Sequence, residues 1–475
     1  MEIILTSMNP IKTLRFYGLL FLLISSCAYD LDDNPVTAND INDFIYKGLR
    51  TYYLYNELVP DLVENKTFNP NYNNYLSANT PENFFENLIY DRAITDKFSW
   101  LTSDYLALEQ QFQGTNQVNG MVYGLDRVSP GSDNLYGYVK YVLPNTSASS
   151  ENLMRGAIFT QVDNQNLTIS NYRSLLDNSS YSIQLAAYNS ITNEFDVNGT
   201  TINLTKQTYT ENPIYKSEIF TIDSDNVGYL MYNRFNAEFD EQLNNEFGNF
   251  AANNIDHLVL DLRYNPGGSV NTATRLASMI TGQFNTDVFS KLNYNSNNSA
   301  SNQTYNFSSS INGQTINHLN LTEVYVLTTD NTASASEMII NSLRPYINVI
   351  QIGTTTVGKS QASITLYDSS NFSRNNVNPL HLYAMQPLVA KTTNKLDVDV
   401  PSTGLVPNIV LSENALNLNE LGQITEPLLA EALAQIDANN RIEQPQIKKE
   451  VSKSIHSTNF FKFNEEMFID HLSTE

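Results

Sequence analysis

A single cysteine in 475 residues, Cys27, rules out an intramolecular disulfide and any cluster of thiolates around a metal. Histidine is scarce too. His257, His318, His381, His456 and His471 keep no HxxxH or similar spacing, so the chain gives no support for a metal centre. Positive charge is in short supply: 27 Lys and Arg stand against 50 Asp and Glu, for a net charge of −23. Nucleic-acid binders display basic faces, so this balance argues against a nucleic-acid partner. No dinucleotide fingerprint occurs; "GTTTVGKS" at 353–360 has the glycine and lysine spacing of a phosphate loop, but no helical pattern follows it as that loop requires. No cofactor is implied. A GxSxG elbow is absent, and a Ser-His-Asp triad has no positive support.

Long apolar runs are lacking except at the start. Lys12 and Arg15 precede "FYGLLFLLISSC", a run of signal-peptide length and too short to cross a bilayer comfortably as a mature helix. It ends at Cys27, and "LISSC" resembles a bacterial lipobox. The resemblance implies a signal peptide over 1–27, lipidation of Cys27 and attachment to a membrane in the bacterial cell envelope. At about 0.8 kcal/mol per buried CH₂, a multiply acylated cysteine holds a protein stably on a bilayer. The acidic "DLDD" at 30–33 resembles tether signals of surface-facing outer-membrane lipoproteins.

At 41% hydrophobic residues, with 28 Tyr and 23 Phe, the chain can build real cores, and its length suits two or three domains. Residues 28–112 read as helical. Ile41, Phe44, Ile45, Leu49, Tyr52 and Tyr53 share one helical face, and Thr80-Pro81 opens a second helix. Short β-like runs mark 113–205. From 206 to 438 strands and helices alternate, which predicts an α/β domain interrupted by a polar insertion at 292–317. Residues 439–475 read as a polar tail.

Three stretches carry candidate chemistry. In "TASASE", Ser334 follows a strand-like run and has Glu337 three residues later, a pattern that fits a helix cap as well as a nucleophile. In "DLRYNPGG", Asp261 to Gly268, two glycines follow a proline; the turn is either a plain strand-to-helix connection or a set of backbone donors for an oxyanion. Lys359 follows a β-run and a glycine. It is either a surface lysine or, if buried and neutral, a general base.

Taken together and in this order, the three stretches resemble the carboxyl-terminal processing (tail-specific) serine peptidases. The separation of Ser334 and Lys359, 359 − 334 = 25 residues, matches that family's serine-to-lysine spacing. The resemblance implies a crotonase/ClpP-like α/β core, an inserted PDZ-like β-domain and a Ser/Lys dyad. By the same match Ser334 is the nucleophile and Lys359 the base. Ala335, with Gly267 or Gly268, supplies the oxyanion hole. The family often keeps a glutamine four residues after the lysine; here that place holds Ser363, and Gln361 lies two after the lysine, so either is a candidate to orient Lys359. In the PDZ-like region, Leu135, Tyr136, Gly137 and Tyr138 fall where the family keeps a carboxylate-binding loop, which implies polypeptide partners recognised through their C-termini. The alternative is a catalytically inactive envelope lipoprotein that binds peptides or glycans on the same scaffold.

Overall fold

In the computed structural model, residues 36–437, 456–457 and 467–469 are described, so the expected lipidation site Cys27 lies outside the described residues. Helix α1 (Ala38–Tyr52) begins at a capping box, with the Thr37 N–H donating to the Asp40 carboxylate at 2.9 Å. It buries Ile41, Phe44, Ile45 and Leu49. Gly48 lets this helix lie close to the rest: a Cβ there would stand 2.1 Å from Met385 Cε. Helix α2 (Pro81–Asn87) is capped by Thr80, and α3 (Tyr105–Phe112) by Asp104, whose Oδ1 accepts the N–H groups of Leu106 and Ala107. No helix among the described residues is long and apolar enough to cross a membrane.

An antiparallel sheet follows, running β1 (Met121–Arg127), β2 (Leu135–Val142), β3 (Ile158–Val162), β4 (Ser180–Asn189) and β5 (Glu194–Thr205). It has its own core, in which Met121, Leu125, Val139, Phe159, Val162 and Ile183 are buried.

The second half builds a mixed sheet from β6 (Ile214–Ile222), β7 (Asp225–Tyr232), β8 (His257–Asp261), β12 (Glu323–Thr328), β13 (Asn348–Gly353) and β16 (Ile409–Val410), in that spatial order. Only β6 runs antiparallel to its neighbour. Side chains alternate across it. Leu258, Leu260, Val324 and Val326 pack with α4 (Asp240–Ala252), α5 (Val270–Thr281) and α6 (Ala335–Leu343). Val259, Tyr325 and Leu327 face α7 (Pro427–Ile436), in a cluster that also takes Val122 and Tyr141 from the β-domain. Burial on both faces explains why these strands read as near-continuous apolar runs.

A further sheet orders β9 (Gly268–Ser269), β18 (Met467–Phe468), β14 (Gln361–Ser363), β15 (Leu388–Asn394), β10 (Val288–Tyr294) and β11 (Gln303–Asn306). The polar insertion forms an antiparallel pair, β11 against β10, and is tied to the helical region, where Asn295 Nδ2 donates to the carbonyls of Thr51 and Tyr53 at 3.0 and 2.9 Å. Those bonds satisfy backbone oxygens at the end of α1. The polar tail also contributes paired strands, β17 (His456–Ser457) against β1 and β18 within the sheet just described.

Candidate active site

Strands β8, β12 and β13 are parallel neighbours, so the segments leaving their C-terminal ends converge on one edge of the sheet, where open α/β sheets hold their ligands. Those segments are 262–268, 329–335 and 354–360. Backbone bonds fasten them together: Ala333 N–H donates to the Asn265 carbonyl at 3.1 Å, and Val357 N–H to the Thr332 carbonyl at 3.0 Å. Ser336 Oγ adds a bond to the same Asn265 carbonyl at 3.0 Å.

Ser334 sits at the turn into α6 with φ 64° and ψ −116°, a conformation that is costly for a residue with a Cβ. It is fully buried, and its Oγ has no hydrogen-bond partner among the described residues. The backbone half of the cap is made, since Ser334 N–H donates to Glu337 Oε2 at 2.8 Å. The hydroxyl is thus left uncommitted.

Glu337 does more than begin a helix. The same Oε2 accepts the Lys359 N–H at 2.9 Å, while Oε1 accepts the Gly358 N–H at 2.7 Å and Thr356 Oγ1 at 2.5 Å. Burial pushes this carboxyl up, and the bonds from Thr356, Lys359, Ser334 and Gly358 oppose that by favouring the anion. One carboxylate therefore ties the serine turn to the lysine segment.

Lys359 is 1% exposed, and its Nζ stands 5.0 Å from the centroid of the Phe98 ring. Phe98 comes from the helical region, far away in sequence. Its segment is fixed by Asp96, which accepts the N–H groups of Phe98 and Ser99 at 3.0 and 2.8 Å and the Tyr53 hydroxyl at 2.7 Å. Nothing in the local sequence around Phe98 marks this role.

At the glycine turn, Gly267 and Gly268 have φ of 113° and 136°, and a Cβ on Gly268 would lie 2.1 Å from the Phe235 carbonyl oxygen. Gly267 N–H is already committed to Asn265 Oδ1 at 2.9 Å. Gly268 stands opposite Met467 in the β9–β18 pair. Ala335 is the first residue of α6, where an N–H has no intrahelical acceptor.

The candidates for orienting the lysine separate. Ser363 Oγ donates to the Met467 carbonyl at 3.2 Å, while Gln361 Oε1 has no hydrogen-bond partner among the described residues. Leu135, Tyr136, Gly137 and Tyr138 do not form a loop. They open strand β2, paired with β1 on one side and, at Gly137 and Tyr138, with β3 on the other. Leu135, Tyr136 and Gly137 are all buried there, as befits a strand paired on both sides.

A buried ionic cluster joins the β-domain to the glycine turn. Arg263 makes paired bonds to Glu426 at 2.6 and 2.8 Å and also holds Asp261, its Nε lying 2.9 Å from Oδ1. From the β-domain, Arg155 reaches Glu413 at 2.6 Å and the Tyr264 hydroxyl at 2.8 Å, one residue before Asn265. Burial works against ionisation of Glu413, but Arg155 and Arg263 outweigh it and hold its carboxyl down at about 2.

Residues 226–373, which include all three segments, match the model of peptidase family S41, and residues 40–100 match the peptidase S41 N-terminal domain. The chain carries peptidase S41 domains. A carboxyl-terminal-processing protease of Picosynechococcus is 25% identical over 51% of this chain and 53% of its own length, so the chain matches about half of that relative. The crystal structure of a Bacteroides fragilis protein assigned to the S41 proteases superposes with a TM-score of 0.67 at 25% identity, covering 83% of this chain and 96% of that one. Phe98, which packs over Lys359, lies in the matched S41 N-terminal domain, while Ser334 and Lys359 lie in the S41 domain proper.

Proposed function

We propose that this chain is a serine endopeptidase of the bacterial cell envelope, anchored through Cys27, that hydrolyses peptide bonds with a Ser334/Lys359 dyad. The observation that carries the reading is the shared Glu337 oxygen, which accepts the backbone N–H of both residues and so holds the nucleophile's turn beside the base's segment. The strained serine turn and its uncommitted, buried hydroxyl support it.

In this mechanism neutral Lys359 takes the Ser334 proton as Oγ forms a bond to the peptide carbonyl carbon. Burial works against the ammonium form of a lysine, which favours the base. Gly268 and Ala335 N–H groups receive the oxyanion, aided by the positive end of α6. The C–N bond then breaks, and the lysine returns the proton to the leaving amine. Water attacks the acyl carbon as the lysine takes its proton, the C–Oγ ester bond breaks, and the lysine gives the proton back to Ser334 Oγ. Residues 206–438 would be the crotonase/ClpP-like core, and the β-domain at 113–205 a PDZ-like module that presents polypeptide substrates.

The test compares wild type with Ser334→Ala and Lys359→Met on unfolded β-casein, with new termini read by mass spectrometry. Each substitution is expected to lower the initial rate roughly 10³-fold or more. Equal cleavage by wild type and Ser334→Ala, or none by any of them across pH 5–10, would overturn the reading in favour of a binding protein.

A further inference from the structure

Strand β18 lies between β9 and β14 and runs parallel to both, with Met467 opposite Gly268 and Phe468 opposite Ser269 and Ser363. The Ile469 N–H donates to the Ser363 carbonyl at 3.1 Å, and the Met467 carbonyl accepts Ser363 Oγ at 3.2 Å. Three consecutive residues of the downstream segment thus bridge the glycine turn on one side and the strand following Lys359 on the other. Met467 and Ile469 are 0% and 6% exposed. Phe468, between them, stacks on Phe112 at the end of α3 with ring centroids 4.5 Å apart. Alternation of this kind is how a strand lodged in a groove presents its side chains.

Without β18, β9 and β14 would face each other across a slot with an unpaired backbone edge on each side, a template for an added strand. The same downstream segment also makes a second strand addition. His456 pairs with Leu125 and Ser457 with Gly124, on β1 at the edge of the β-domain. One segment therefore engages two strand edges, and the two sites are separated by 467 − 457 = 10 residues of sequence.

We propose that the β9/β14 slot is where an extended polypeptide lies for attack by Ser334, and that it selects apolar side chains two positions apart, in the places Met467 and Ile469 fill. Segment 456–469 is then a tethered occupant of the substrate's path, displaced when a substrate arrives. The β1 edge grips the polypeptide about ten residues upstream of the slot. The ligand class is an unfolded segment long enough to reach both edges, rather than a short peptide. The word substrate rests on the peptidase reading; occupancy of the slot does not.

The test uses the full-length chain carrying Ser334→Ala, with and without Met467→Asp and Ile469→Asp together. The probe is a fluorescein-labelled peptide of residues 464–475, NEEMFIDHLSTE, followed by fluorescence anisotropy. The peptide is expected to bind the triple variant at least tenfold more tightly than the Ser334→Ala parent, whose own segment competes. A peptide with aspartate in place of its methionine and isoleucine is expected to bind neither. Phe112→Ala, which removes only the stacking partner of Phe468, should shift affinity in the same direction by about threefold, and covers the case in which the aspartate pair impairs folding. Equal affinity for parent and variants, or equal binding of the aspartate peptide, overturns the proposal. With Ser334 intact, the aspartate pair should raise casein hydrolysis several-fold. If the binding pattern holds while no form cleaves casein, the slot stands and the peptidase reading falls. If casein is cleaved and the aspartate pair alters neither its rate nor peptide affinity, the slot falls and the peptidase reading stands.

Discussion

At the scale of single residues, Glu337 is the hub of the site. It accepts four hydrogen bonds while fully buried, and each donor left unpaired there costs about 1–3 kcal/mol. Glu337→Gln keeps the shape but turns one acceptor oxygen into a donor, so it must lose one pair of bonds. The expected result is a fall in kcat of roughly 10²-fold, in line with the cost of misplacing catalytic groups, with a smaller change in KM and a lower Tm. Unchanged kcat would remove Glu337 from the positioning of the dyad. Gly268→Ala places a methyl 2.1 Å from the Phe235 carbonyl oxygen, backbone that cannot swing aside. Activity should be lost with little change in the thermal transition of the β-domain core, as read by kinetics beside hydrogen exchange.

At the scale of elements, strands β8, β12 and β13 were legible because burial on both faces writes long apolar runs into the sequence. The three candidate stretches, which the fold brings together, stand out as well, since each is a departure from such a run: two glycines, a small-residue turn, a lysine after a glycine. What stayed hidden has no local pattern. Phe98 reaches Lys359 only through the tertiary placement of the helical region. Asn295 reads as one of many loop asparagines until it is seen to satisfy carbonyls at the end of α1. "LYGY" invited a loop reading by family position, yet it opens a strand whose first three residues are buried. The β-domain joint carries its own prediction. The Glu413 carboxyl is depressed in the folded chain to about 2 from 4.5, so its contribution to stability is fully present above pH 4.5 and is lost as pH falls from there toward 2. Glu413→Gln is expected to flatten that part of an acid-denaturation curve by an amount of the order of 3 kcal/mol. An unchanged curve would mean the joint is not held by this carboxylate.

At the scale of the whole molecule, every part touches the same edge of the sheet. The helical region lays Phe98 over Lys359, the β-domain sends Arg155 to Tyr264 beside the glycine turn, and the downstream segment lies between β9 and β14. Phe98→Ala removes the ring beside Lys359 and is expected to lower kcat with a smaller change in KM; unchanged kinetics would make Phe98 mere packing. The polar composition of 439–475 hid the Met467–Ile469 triplet, whose partners are supplied only by the folded core. The central claim, that Ser334 is acylated with Lys359 as its base, is tested most directly by trapping the acyl-enzyme. The chain is mixed with an activated ester of an apolar peptide acid, quenched in acid and digested, and the mass of the fragment bearing Ser334 is measured. The account predicts an acyl adduct on Ser334 in wild type, absent in Ser334→Ala and formed at least 10²-fold more slowly in Lys359→Met. No adduct on Ser334, or one formed as fast without the lysine, would contradict it.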